Sequence, residues 1–356
     1  MSTDDIDPSR LMRARWPNRM PTPLLQLPEL AKSCGVAQVL AKDESARPLG
    51  SFKVTGGAWG ALRALAREVG ALQVRDFLDC GAPDRSLPPL ICASHGNHGL
   101  AVAAAADIAK TVARIYLPEA TCEARLRPLR ALGADLVFVA GNFDDAAKEA
   151  ASTAASGAGV LVNDTSDDAD CQVIADIMAG YDLIAAEIAV QIEDAVPTHL
   201  FVQAGVGGLA AAMARGLHAR MSPGLKVVVV EPESAACVGL ALAAGRPHDV
   251  PGEQETAAEM LSCGRASAPA LNILLRHGAV AIGVDEAVLK QAVRELAGAG
   301  GPASSPSGAA GLAGLLSLRR ADARRSQLGL NENSRVLLIV TEGSLPDSDE
   351  GRTASC

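Results

Sequence analysis

Aromatic residues are scarce in this chain: five Phe, two Trp and two Tyr among 356 residues. Its apolar share of 49% is therefore largely Ala, Val and Leu, a composition that suits helices packed closely on a sheet. There is no excess of basic residues. The net charge of -9 argues against a nucleic-acid partner, which needs a basic face. No run of about 20 apolar residues occurs, so no membrane partner is expected. The first residues, MSTDDIDPSR, are acidic and polar, unlike a secretory signal. The eight cysteines, at 34, 80, 92, 122, 171, 237, 263 and 356, form no CxxC pair and have no zinc-like spacing. They read as reduced, mostly buried thiols of a cytoplasmic protein, and no metal site is expected. No repeat of fixed period is present.

What is present is a regular alternation. A chain of this length is expected to form two domains or subdomains. Apolar runs that predict strands lie at AQVLAK (37–42), PPLICAS (88–94), ARIYLP (113–118), DLVFVAG (135–141), VLVND (160–164), HLFVQAG (199–205), KVVVVEP (226–232), GAVAIGV (278–284) and RVLLIVTEG (335–343). Helix-like segments such as CEARLRPLRALGA and FDDAAKEAASTAASGA separate them. Runs apolar on both faces that alternate with helices predict an α/β fold with largely parallel strands. The stretches 80–88 and 300–308 read as loops, and the polar tail LPDSDEGRTASC as frayed.

In open parallel sheets ligands sit at the carboxyl ends of strands, so the segments just after the apolar runs carry the information. QAGVGGL (203–209) turns a strand into an Ala-rich helix through glycines. Such a turn exposes successive N–H groups at the positive end of a helix and can cradle a phosphate. Without GK[ST] it is not a nucleotide P-loop, and it is too short for a dinucleotide GxGxxG. Alone, it reads equally well as a tight strand–helix turn. In LGSFKVTGG (49–57), Lys53 stands at a predicted helix start, where the helix dipole disfavours a cation. A lysine there makes sense if its amine is neutral or bonded to a cofactor, although most lone lysines are simply solvated. In VTEGSLPD (340–347), Thr341 ends a buried strand and offers a hydroxyl. ASHGNHG (93–99) puts His95 and His98 around a Gly-Asn pair, with no third metal ligand suitably spaced nearby.

The order of these segments, candidate lysine, GNH loop, glycine-rich turn and terminal hydroxyl, resembles the fold-type II pyridoxal-phosphate enzymes. The likeness runs from PTPLLQL (21–27) to TEGS (341–344). Within that group the chain is most similar to the diaminopropionate ammonia-lyases. That likeness rests on SFKxxGG, GNHG, RALGADLVFVAGNFDDA (130–146), NDT (163–165), IMAGYDLIAAEI (177–188), FVQAGVGG (201–208), VVEPESAAC (229–237) and SGAAGL (307–312), with Arg47 matching an arginine of the lyase motif.

The resemblance implies two α/β domains with pyridoxal 5'-phosphate in the cleft between them: a large domain of residues 1–52 and 163–356, and a small mobile one of residues 53–162. It implies that Lys53 holds the cofactor and shuttles protons, and that Asn97 contacts the ring hydroxyl. Gly205, Val206, Gly207 and Gly208 take the phosphate, and Thr341 faces the ring nitrogen. The loop Ser94, His95, Gly96, Asn97 and His98 binds the substrate carboxylate, and Asp164 lies near the substrate's amine. A hydroxyl cannot keep the ring nitrogen protonated as a carboxylate would, so Thr341 implies a weaker electron sink and favours β-elimination. The implied partner is a small amino acid and the implied assembly a homodimer.

His95 is the departure. The lyases carry an aspartate there that acts as a base on one face of the substrate. An imidazole, with an ordinary pKa near 6.5, can replace it in proton transfer, or it can fill the loop or meet another substrate's polar group. The expected activity is α,β-elimination to a 2-oxo acid and ammonia. A hydroxy-amino-acid dehydratase, a racemase or epimerase, and a β-replacement synthase are the alternatives on the same scaffold. A pyridoxal-phosphate-binding protein without turnover is the non-enzymatic one.

Overall fold

The computed structural model describes residues 7–18, 20–70, 74, 87–94, 96–192 and 196–344. His95, the predicted loop at 80–86 and the tail from 345 onward lie outside the described residues. Among the described residues, ten strands form two sheets. Strands β1 (Leu24–Gln26), β2 (Gln38–Asp43), β7 (His199–Gln203), β8 (Lys226–Pro232), β9 (Val280–Val284) and β10 (Arg335–Val340) make a six-stranded sheet in the order β1-β2-β10-β7-β8-β9. Strands β3 (Leu90–Ala93), β4 (Ala113–Pro118), β5 (Asp135–Val139) and β6 (Val160–Leu161) make a four-stranded sheet in the order β5-β4-β3-β6. Every pairing is parallel except that of β1 with β2.

Burial explains the apolar runs. The interior strands β3 and β7 are buried at every position, whereas the edge strands β5 and β9 keep exposed or half-buried positions. Nine strands fall where the apolar runs predict them. The tenth, β1, is three residues long and too short to show a period. Strand β6 ends at Leu161, so Asp164 stands in the connection beyond it rather than on the strand predicted through VLVND.

One apolar cluster runs from Leu90, Cys92 and Ile115 of the small sheet, through Val54, Ala58, Leu62 and Leu65, to Leu200 and Val202 of the large sheet. A second covers the other face of the large sheet, and a third lies around Ile91, Tyr116 and Ala146. The helix Lys53–Glu68 belongs to the first cluster and is almost wholly buried. It can pack this closely because Gly56 has no side chain: a Cβ there would lie 2.3 Å from Tyr181 Cε1 and 2.5 Å from the Ile177 carbonyl of the helix Gln172–Gln191. The described cysteines, 34, 92, 122, 171, 237 and 263, are free thiols. Among the described residues, no helix is long and apolar enough to cross a membrane.

Candidate active site

Lys53 opens its helix without a side-chain cap. The chain reaches it through Leu49 and Gly50, both at positive φ, 63° and 73°. Leu49 is a β-carbon residue held in a sparsely populated region. The turn is held by the segment after β10: Phe52 N–H donates to the Thr341 carbonyl at 3.0 Å, and Gly343 N–H to the Gly50 carbonyl at 3.1 Å. These backbone bonds bring together Lys53 and Thr341, 288 positions apart.

Lys53 Nζ donates to Asp164 Oδ2 at 2.5 Å. The two side chains keep 21% and 29% of their exposure, so a ligand can reach them. Burial would pull the lysine down, but the Asp164 carboxylate outweighs it and holds the ammonium well above the ordinary lysine range. Burial likewise raises Asp164, and Lys53 outweighs that, keeping the carboxyl ionised well below its usual range.

The loop after β3 leads into the helix Asn97–Ala109. Ser94 Oγ accepts from the N–H groups of Gly96 (3.2 Å) and Gly99 (3.1 Å). The amides of Asn97 and His98 at the same helix start have no such partner among the described residues. The His98 ring is buried and reaches the Val162 carbonyl through Nε2 at 2.7 Å, which assigns the proton to Nε2. Burial lowers its pKa and keeps it neutral, and Nδ1 has no partner among the described residues. His98 thus ties the start of its helix to the Val162 carbonyl through its ring. Asn97 Nδ2 donates to Glu342 Oε2.

The turn after β7 carries Gly205, Val206, Gly207 and Gly208. Gly207 sits at φ 97° as N-cap of the helix Gly208–Arg220, and no side chain caps that helix. Its first N–H groups are therefore open to an anion, and the helix dipole adds to the attraction. Glycine is required by space as well: a Cβ on Gly205 would lie 2.9 Å from Cys263 Sγ.

Gln203, Tyr181 and Cys263 escape the sequence reading, and Glu342, expected from the sequence to be solvated, is buried. Gln203 Nε2 donates to Thr341 Oγ1 at 2.9 Å, which leaves the threonine's own O–H free to donate onward. Glu342 meets Asn97 and Ser305, with its pKa raised by burial. Tyr181 lies between Phe52, with ring centroids 5.0 Å apart, and Gly208. Cys263 backs Gly205. The only trace of them in the sequence is their position beside glycines and within the motif stretches.

An aldehyde-bearing, phosphorylated pyridine fits this set of donors. It finds a primary amine at Lys53 and an uncapped glycine-rich helix start for the phosphate. It finds the Asn97 amide for the ring oxygen, and at Thr341 a hydroxyl proton turned away from Gln203. Three of the five buried side-chain atoms without partners among the described residues, His98 Nδ1, Tyr181 Oη and Gln203 Oε1, cluster here.

The fold and this constellation define a vitamin-B6-dependent enzyme of the lysine-anchored, glycine-cradle kind. Residues 16–342 match the pyridoxal-phosphate dependent enzyme family, and the chain belongs to it. Its cofactor is pyridoxal phosphate, as the motif resemblance implied. The chain is 31% identical over 335 residues to the diaminopropionate ammonia-lyase of Escherichia coli (strain K12), covering 91% of this chain and 84% of that one. It is 29% identical over 294 residues to the biosynthetic L-threonine dehydratase of the same organism, covering 83% and 52%. The crystal structure of the Escherichia coli diaminopropionate ammonia-lyase in complex with D-serine superposes with a TM-score of 0.84 at 29% identity, covering 95% of this chain and 88% of that one.

Proposed function

We propose that the chain catalyses α,β-elimination on an amino acid with 2,3-diaminopropionate as substrate, releasing a 2-oxo acid and ammonia. The observation that carries this is the partly exposed Lys53–Asp164 pair together with an uncapped glycine-rich helix start. When bound, pyridoxal phosphate supplies the aldehyde and the electron-withdrawing ring that make the α-proton removable and the β-substituent able to leave.

The chain's own residues do the rest. Lys53 Nζ holds the cofactor and, once freed, moves the α-proton. The N–H groups of Gly205–Gly208 hold the phosphate, Asn97 meets the ring oxygen, and Thr341 donates to the ring nitrogen. The free amides of Asn97 and His98, at a helix start, take the substrate carboxylate. Asp164, ionised, takes the side-chain ammonium. His95 stands in the reading as the proton-transfer group for the second face. Residues 53–162 act as the small domain that closes on the large one, 1–52 and 163–356, and excludes water during the proton steps. The reading is completed by a cytoplasmic homodimer, which sedimentation velocity would check.

The test is 2-oxo-acid release from D- and L-2,3-diaminopropionate, L-serine, L-threonine and 3-hydroxyaspartate by the wild type and His95→Ala. Release from both diaminopropionates, with one enantiomer lost in the variant, is the expected result. Release from none of the five overturns the reading. A hydroxy-amino-acid dehydratase is the second reading, favoured by the likeness to threonine dehydratase. Turnover of serine or threonine alone would establish it.

A further inference from the structure

The Tyr181 hydroxyl is buried and makes no well-formed hydrogen bond among the described residues. The residue is 2% exposed, and the polar group that acts on its oxygen is the Lys53 amine. Folded proteins rarely leave such a group orphaned, and when they do it asks for an account. The placement of the ring is also specific. Gly56 and Gly208, on two different elements, make room for it: a Cβ on Gly56 would clash at 2.3 Å, and one on Gly208 would touch Cε2 at 3.8 Å. Gly180, its neighbour, lets the two helices approach until a Cβ there would lie 2.4 Å from the Thr55 carbonyl. The ring also leans on Phe52, over which Lys53 Nζ sits 5.5 Å from the ring centroid. The hydroxyl, carried by the helix Gln172–Gln191, thus faces the start of the lysine's helix, and it and the Lys53 amine act on each other's charge.

Lys53 has a difficulty that this neighbour can solve. Paired with Asp164 it is a committed ammonium, and an ammonium cannot accept a proton. To act as a base it must leave the carboxylate and lose its charge. A neighbouring polar group that could then hold it without fixing a charge on it is the phenol. Burial pushes the Tyr181 hydroxyl up to about 12, so it stays neutral at any working pH.

We propose that Tyr181 is a positioning residue for Lys53: its hydroxyl takes over the lysine nitrogen when the substrate's side-chain ammonium occupies Asp164. The inference rests on the diaminopropionate reading above. It adds that the second amine of the substrate both binds and switches on the base. A substrate without that amine leaves Lys53 on Asp164, and its penalty falls on kcat rather than on KM.

Tyr181→Phe keeps the ring and removes only the oxygen, so folding is preserved. The first experiment is the pH profile of kcat for the holoenzyme with 2,3-diaminopropionate and with serine. In the wild type the acid limb for diaminopropionate should lie below that for serine. In Tyr181→Phe it should move up by about one pH unit, which is about tenfold in kcat on that limb, with KM and the serine profile unmoved. The second readout is the Kd of the cofactor-free variant for pyridoxal phosphate, followed by Tyr and Trp fluorescence, which should stay within about twofold of wild type. An unmoved profile for diaminopropionate, or an equal loss with both substrates, overturns the proposal. A tenfold weaker Kd with unmoved profiles also overturns it and makes Tyr181 a ligand of the cofactor instead. A wild type that turns over serine but not diaminopropionate sinks the reading beneath it, and the proposal with it.

Discussion

Two lysine–carboxylate clusters lie on either side of the same short loop, and they are built in opposite ways. Lys42, Glu44, Arg47 and Glu187 form a sealed group with side-chain exposures of 0%, 0%, 0% and 8%. Two cations face two anions. Lys42 Nζ also donates to the Thr22 carbonyl (2.7 Å) and to Gln191 Oε1 (2.8 Å), and the Arg47 fork spans both glutamates. Lys53 and Asp164, six and more residues further on, form one pair, partly exposed, with the His98 and Tyr181 side chains, each holding an atom without a partner among the described residues, close enough to act on it. Complete satisfaction turns buried charge into structure, and incomplete satisfaction leaves it free to exchange partners. Arg47 matched the lyase motif as clearly as Lys53 did, yet its surroundings assign it to holding the loop.

The largest effect expected is on the open pair. Lys53→Ala should lower 2-oxo-acid release by at least about 10³-fold, and borohydride should no longer fix the cofactor to the chain by mass. Retained fixation would break the assignment. Next is the sealed cluster. Arg47→Met leaves two buried carboxylates facing one lysine and should destabilise the fold by about 3–5 kcal/mol, read by urea unfolding. A wild-type unfolding curve would show that the cluster is not structural.

Asp164→Asn should cost about 1.5–3 kcal/mol of interaction with a charged partner, read as a fall in kcat/KM for diaminopropionate but not for serine. It should also alter the acid side of stability. Asp164 sits below its ordinary 3.8, so the stability it confers is full above 3.8 and is lost as pH falls through its lower folded value. Lys53 sits above its ordinary 10.5, so its share is full below 10.5 and is lost as pH rises through its higher folded value. The cofactor-free wild type should therefore melt highest between those limits, and Asp164→Asn should lose the acid shoulder.

The smallest effect concerns Glu231, a buried carboxylate with no cation beside it among the described residues, held by the N–H groups of Val238 and Gly239. Burial raises its pKa to about 7. The stability it confers is full below 4.5 and is lost as pH rises through about 7, so the melting temperature of Glu231→Gln should gain on that of the wild type between pH 5 and 8. An identical pH dependence would show that the two N–H bonds alone satisfy it.

The comparison also shows what was legible beforehand. Lys53, Asn97, Thr341 and the glycine turn stand just after apolar runs, where a parallel sheet delivers side chains to its carboxyl edge, so their places could be read from the order of segments. Asp164 could be read too, although it lies beyond a strand shorter than its apolar run predicts. Gln203 and Tyr181 could not. One ends a fully buried strand and the other lies on the buried face of a long helix, where apolar neighbours hide a polar residue's purpose. Their roles arise from contacts with Thr341 and Phe52, across 138 and 129 positions.

The sequence by itself determined the alternation of strands and helices, the parallel sheets that follow from runs apolar on both faces, and the chemical types brought to the sheet edge. Hydrophobic periodicity and turn chemistry are local, and a local pattern is enough to specify them. Only the tertiary structure decided which charges are sealed and which stay open, and which hydroxyl is left without a partner. Satisfaction and desolvation depend on atoms brought together from distant parts of the chain, and no stretch of residues carries that information alone.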